Sequence, residues 1–110
     1  MKKHFEALEN VYWVSGEDKH YEVLVCVVQN DLGNGMYEIL CNNVVYEVKQ
    51  HRLFKPECKE DAVEFANDLI GATLMNYRTW MVDEGYAEHR EHFESVMAEL
   101  RLVQEKNNRL

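Results

Sequence analysis

The sequence predicts an α+β protein: an N-terminal antiparallel sheet of four to five strands followed by a C-terminal α-helical hairpin. Three observations carry this. Apolar residues alternate with period two before Pro56 and recur every three to four positions after it. Asn42-Asn43 stands between two alternating runs, where a two-residue hairpin turn belongs. Gly85 interrupts the second half with the residue best suited to end a helix. A chain of 110 residues is one domain by size, able to bury roughly 60–70 % of its unfolded surface without disulfides or metals. Within it, residues 1–56 read as the β unit and 57–110 as a hairpin that also dimerises.

Val11 to Val14 reads as a first short strand, ended by Ser15-Gly16-Glu17-Asp18. Tyr21 to Val28 is apolar on both faces after Glu22, as expected of a central strand or of a bent strand shared between two sides of a small barrel. Asp31-Leu32-Gly33-Asn34-Gly35 is dense in turn-forming residues and links that strand to an antiparallel one starting at Met36. A type I′ turn needs positive φ at both central residues, which asparagine tolerates, so Asn42-Asn43 closes a hairpin. That register pairs Cys41 with Val44, Ile39 with Tyr46 and Tyr37 with Val48, and puts these six on the core face. Met36, Glu38, Glu47 and Lys49 fall on the other face with Leu40 and Val45, where Glu38 opposes Glu47 and Lys49 offers relief. His51 to Phe54 adds a last short strand before Pro56.

The stretches VYWVSG, YEVLVCVV, GMYEILC, VVYEVKQ and HRLF, in this order, resemble the SH3-like or Tudor-like small barrel over about half of the chain. The resemblance implies a binding scaffold rather than an enzyme. Barrel-plus-helix layouts of this size are also similar to small proteins encoded by bacteriophages, an analogy at the level of fold.

After Pro56 a helix is expected from Lys59, with Cys58 as its N-cap and Glu60 and Asp61 opposing the positive end of its dipole. Ala62, Phe65, Ala66, Leu69, Ile70, Thr73, Leu74, Tyr77, Trp80 and Met81 gather on about half of its circumference. Gly71 weakens its middle by roughly 1 kcal/mol relative to alanine, leaving open a kink or break there. A second helix runs from Tyr86 to about Lys106, with a seam of Tyr86, His89, Phe93, Val96, Leu100 and Val103 spaced three and four apart and Met97 beside it. Helices of this length span on the order of 30–36 Å against about 20 Å for the strands, so the hairpin is expected to overhang the sheet. Tyr77, Trp80, Met81, Phe93, Met97 and Leu100 would then meet a second copy in a four-helix homodimer.

Charge narrows the function. Between Glu57 and Glu105 twelve acids face four bases, a net −8 for that stretch, while residues 1–56 carry −2 and Lys106 with Arg109 return +2, so the helical half holds most of the field. Such a field repels phosphate backbones, which argues against direct nucleic-acid binding, and attracts basic surfaces. Glu6 and Glu9 interrupt what would be the apolar core of a signal peptide, and the apolar run from Val23 to Val28 is too short to span a bilayer. A cytoplasmic protein without membrane contact is expected.

Catalytic and metal chemistry is weakly served. Cys26, Cys41 and Cys58 show neither paired nor zinc-ligand spacing, and no cysteine has a histidine and an orienting group in a known register. Cys26 and Cys41 read as small packed hydrophobes. Glu88-His89-Arg90-Glu91-His92 lacks the spacing of a zinc-protease helix, and an interface histidine beside a solvated one accounts for it better than a metal site. No catalytic residue, metal or cofactor is therefore expected. The leading expectation is a non-enzymatic interaction or regulatory protein. Its acidic helical face, Glu60, Glu64, Asp68, Glu84, Glu88, Glu91 and Glu94, meets a basic protein partner such as the cationic groove of a nucleic-acid enzyme, as a phage or bacterial, anti-CRISPR-like inhibitor would. The alternatives are a Tudor-like peptide reader using barrel aromatics, with Trp13 the candidate because it or Tyr12 must point outward, and a small metal- or thiol-dependent enzyme.

Overall fold

The computed structural model describes residues 4–16, 20–83 and 90–110, with the backbone alone at 80–83. The chain is α+β. Five strands, β1 (Asn10–Val14), β2 (Val23–Gly33), β3 (Met36–Cys41), β4 (Val44–Lys49) and β5 (Leu53–Phe54), precede two helices, α1 (Lys59–Asp83) and α2 (Arg90–Asn108). The strands form one antiparallel sheet in the order β4-β3-β2-β1-β5. It is an open sheet and not a closed barrel, with β4 and β5 at its edges.

Local chemistry sets the turns. Asn42 and Asn43 take φ of 51° and 66°, the left-handed pair that the hairpin demands, and the register matches the expected one, Cys41 opposite Val44, Ile39 opposite Tyr46 and Tyr37 opposite Val48. Tyr37, Ile39, Cys41 and Val48 are buried and Tyr46 half-buried, while Val44 at the turn stays exposed. The β2–β3 connection is tighter than expected: β2 runs on to Gly33, and Asn34-Gly35, with φ of 54° and 74°, is itself a two-residue turn. Breaks in register between Val28 and Asn30 and between Asp31 and Gly33 bend the end of β2. The side-chain amide of Asn30, rather than Lys49, meets Glu38, at 2.8 Å. Of His51 to Phe54 only Leu53–Phe54 is strand, because Gln50–Arg52 winds into a 3₁₀ turn. A second 3₁₀ turn at Pro56–Cys58 leads into α1, which begins at Lys59 as expected.

The chain divides into two compact units: Met1–Ser15 with Val23–Ala62, and Gly16–Glu22 with Val63–Leu110. In the first, Phe5, Val11, Trp13, Cys26, Val28, Tyr37, Ile39, Cys41, Val48 and Leu53 form the core. Phe5 joins it from outside the strands, standing edge-on to Tyr37 at 5.4 Å and donating its backbone N–H to the tyrosine hydroxyl.

In the second unit, α1 and α2 run antiparallel. Asn67 near the start of α1 meets Asn107 and Asn108 near the end of α2, and the Tyr77 ring meets Phe93 at 5.6 Å. Helix α1 continues through Gly71 without a break. Ile70 on α1 and Phe93, Met97 and Leu100 on α2 are buried, the last three at the expected seam. The seam turns polar at its end. Asn107, 1 % exposed, donates to the Tyr21 carbonyl at 3.0 Å and to Asn67 Oδ1 at 3.2 Å. Lys106 pairs with Glu22 and His20 faces Glu99, so the β1–β2 connector is held against α2 at three successive residues. The turn expected at Gly85 lies outside the described residues.

Candidate functional site

Helix α1 places its acids on one line. Glu60, Glu64 and Asp68, one helical step of four apart, are all exposed, with Asp61 exposed beside Glu60. Four residues advance a helix by about 6 Å, which gives carboxylates stacked at that interval along a solvated ridge. Among the described residues none of the three has an ion-pair partner or a side-chain hydrogen bond. Glu91 and Glu94 on α2 are also exposed, and Arg90 engages Glu94 at 3.0 Å one turn away. Glu84 and Glu88 lie outside the described residues. Along α1, Glu60, Glu64 and Asp68 thus fall at one helical spacing, without a partner among the described residues.

Trp13 lies in the core, 8 % exposed, its ring 4.8 Å from Tyr46. Tyr12, half-buried, takes the opposite face of β1, so of the two alternating aromatics it is the tyrosine that turns outward. Of the residues expected between two copies, Phe93, Met97 and Leu100 are already buried within a single chain, Tyr77 is half-buried against Phe93, and the side chains of Trp80 and Met81 are outside the described set. Exposed apolar surface on the helices is found instead at Met75, 70 % exposed, and Leu102, 62 % exposed.

The first unit carries a feature that the alternating pattern did not signal. His4, Glu6, Ala7, Leu8, Glu9 and Lys55 line an open depression of about 410 Å³. A turn from Glu6 to Glu9 shapes it, and its third residue, Leu8, is left-handed at φ 68° and exposed. The Lys55 ammonium bonds Glu9 at 2.9 Å and lies 5.4 Å from the Phe5 ring centre. That hydrogen bond, with a second from the Glu6 N–H, holds the Glu9 carboxyl below its ordinary value. Lys55 is raised by the same bond.

Among the described residues no group of three or more histidine, cysteine or acidic side chains is placed to hold a metal ion, and no helix is long and apolar enough to cross a membrane. The Cys26 and Cys41 thiols are buried in the sheet core and donate to the carbonyls of Leu24 and Val25. Burial first, and then the neighbouring Cys41 thiol, pushes Cys26 far above the ordinary thiol range and keeps it protonated at neutral pH. Cys58 is half-buried in the 3₁₀ turn before α1. No known protein family, characterised protein or solved structure matches this chain.

Proposed function

We propose that the protein is a non-enzymatic interaction or regulatory protein whose acidic helical face captures a basic protein partner. The observation that supports this reading is the row Glu60, Glu64 and Asp68: three exposed carboxylates at helical repeat, with no cation of the described chain answering them. Single exposed ion pairs contribute little to stability, but a row of one sign on a chain of net charge −8 raises encounter rates with a cationic surface and aligns it. A groove built to hold a nucleic-acid backbone is cationic at comparable spacing, so a phage or bacterial inhibitor of a nucleic-acid enzyme fits this chemistry. The five antiparallel strands, in chain order from β4 back to β1 with β5 returning beside β1, support the SH3-like reading of the sheet as the scaffold. Met75 and Leu102 support self-association of the helices into a homodimer.

Affinity capture from the source cells tests the reading, comparing the native chain with the triple variant Glu60→Lys, Glu64→Lys, Asp68→Lys. The variant is expected to lose the captured basic protein, and the native complex to weaken as salt shortens the reach of the field. Light scattering on both samples should give twice the mass of one chain. Undiminished capture by the triple variant would count decisively against the acidic row.

A further inference from the structure

The two core thiols face each other across the sheet. Val27 stands opposite Leu40 and Val28 opposite Ile39, and the same antiparallel register carries Cys26 to the position facing Cys41. Side chains alternate along a strand, so directly opposed residues share a face, and both cysteines belong to the one core cluster. The Cys41 thiol reaches across to the carbonyl of Val25, one residue from Cys26 on β2. Directly opposed residues of an antiparallel pair have Cα atoms about 4.5 or 5.5 Å apart, according to the hydrogen-bonding class of the pair. Both separations fall inside the window of about 4.4–6.8 Å that a disulfide spans. The ladder therefore spaces the two residues as a disulfide requires, on one face of the sheet, and a solvent-exposed resolving thiol is not required.

We propose that Cys26 and Cys41 are a cross-strand dithiol that a hydroperoxide converts to a disulfide, which makes the β2–β3 ladder an oxidation-responsive site. In the first step one cysteine sulfur, as thiolate, attacks a peroxide oxygen. The O–O bond breaks, the sulfur is oxidised to a sulfenic acid, and the other oxygen leaves as water or an alcohol after taking up the thiol proton. In the second step the facing sulfur attacks the sulfenic sulfur, the S–S bond forms, the S–O bond breaks and water leaves with the second thiol proton. Two thiols together lose two electrons and the peroxide gains them. A hydroperoxide is the oxidant class chosen because it is small enough to enter a packed sheet during local opening, whereas a bulky disulfide must first form a mixed disulfide inside the core. Burial of both thiols makes the first step slow relative to an exposed cysteine, and the fixed facing position makes the second step fast.

Tryptic cleavage cannot read the outcome, because no lysine or arginine lies between the two cysteines, but cleavage after glutamate separates them at Glu38. The native chain is treated with hydrogen peroxide in buffer, quenched in acid with alkylation of free thiols, and digested after glutamate. The expected product joins peptide 23–38 to peptide 39–47, is undone by reduction, and outweighs every pairing with Cys58. The variant Cys41→Ala should instead carry added oxygen on Cys26. Two results would overturn the inference: over-oxidation of Cys26 and Cys41 in the native chain without linkage, or linkage no more selective in buffer than in denaturant, where all three pairings are open. Both thiols remaining fully alkylatable after prolonged treatment would overturn it equally.

Discussion

At the scale of single residues, Glu9 shows how a short sequence feature gains an energetic role only in the fold. Glu9 and Lys55 are far apart in sequence, and their bond forms because the Glu6–Glu9 turn is tied to β2 through the Leu8 N–H to the Val28 carbonyl and the Val28 N–H to the Glu9 carbonyl. Since the carboxyl is held below its ordinary value of 4.5, its contribution to stability is complete above that value and is lost as pH falls through the lower, folded one. Urea midpoints measured from neutral pH downward should therefore fall in acid, and Glu9→Gln should remove part of that fall while lowering the neutral-pH midpoint. An unchanged acid profile in the variant would show the pair to be energetically idle. The sequence gives little hint of this corner. Phe5 stands alone ahead of the first alternating run, so periodicity has nothing to grip, although it is among the most completely buried side chains.

Elements were more legible than residues. The Asn42-Asn43 hairpin was readable down to its register because turn geometry and alternation agree there, and a slip of one residue would expose the whole core face. The neighbouring connection was blurred because Asp31 to Gly35 is uniformly turn-like. The Asn34-Gly35 pair within it was the sharper signal, and the bulges that let β2 reach it leave no periodic trace. Helix α1 is legible at its start and along its stripe to Met81, and the kink or break that Gly71 leaves open in the sequence does not occur. A methyl group added at Gly71 would meet nothing within 4 Å, and its backbone is not among the positive-φ positions. Gly71→Ala should thus raise stability by about 1 kcal/mol, with a matching gain in helical circular dichroism on heating. A loss would show that close packing the present structure does not contain depends on the glycine.

For the whole molecule, the division into units is not the division of the sequence at Pro56. Residues 16–22, read as a turn and the start of a strand, belong with the helices, because Tyr21, Glu22 and His20 find their partners on α2. Asn107 is the least expected member of that arrangement. The expected seam ends at Val103 and the expected helix at about Lys106, and a hydropathy pattern scores a buried asparagine as surface. Asn107→Leu would keep its size but remove the bonds to the Tyr21 carbonyl and to Asn67 Oδ1 from a buried position, at a cost of about 2 kcal/mol. Hydrogen exchange should accelerate selectively at residues 20–22 and in the last turns of α2, and exchange unchanged at the connector would refute its role as the tie. The contact also has a history in time. Tyr21 and Asn107 are 86 positions apart, and ribosomes add roughly 5–20 residues per second. On the order of 4–17 s of translation thus pass before the asparagine exists, and throughout that interval the nascent connector must be kept from settling elsewhere.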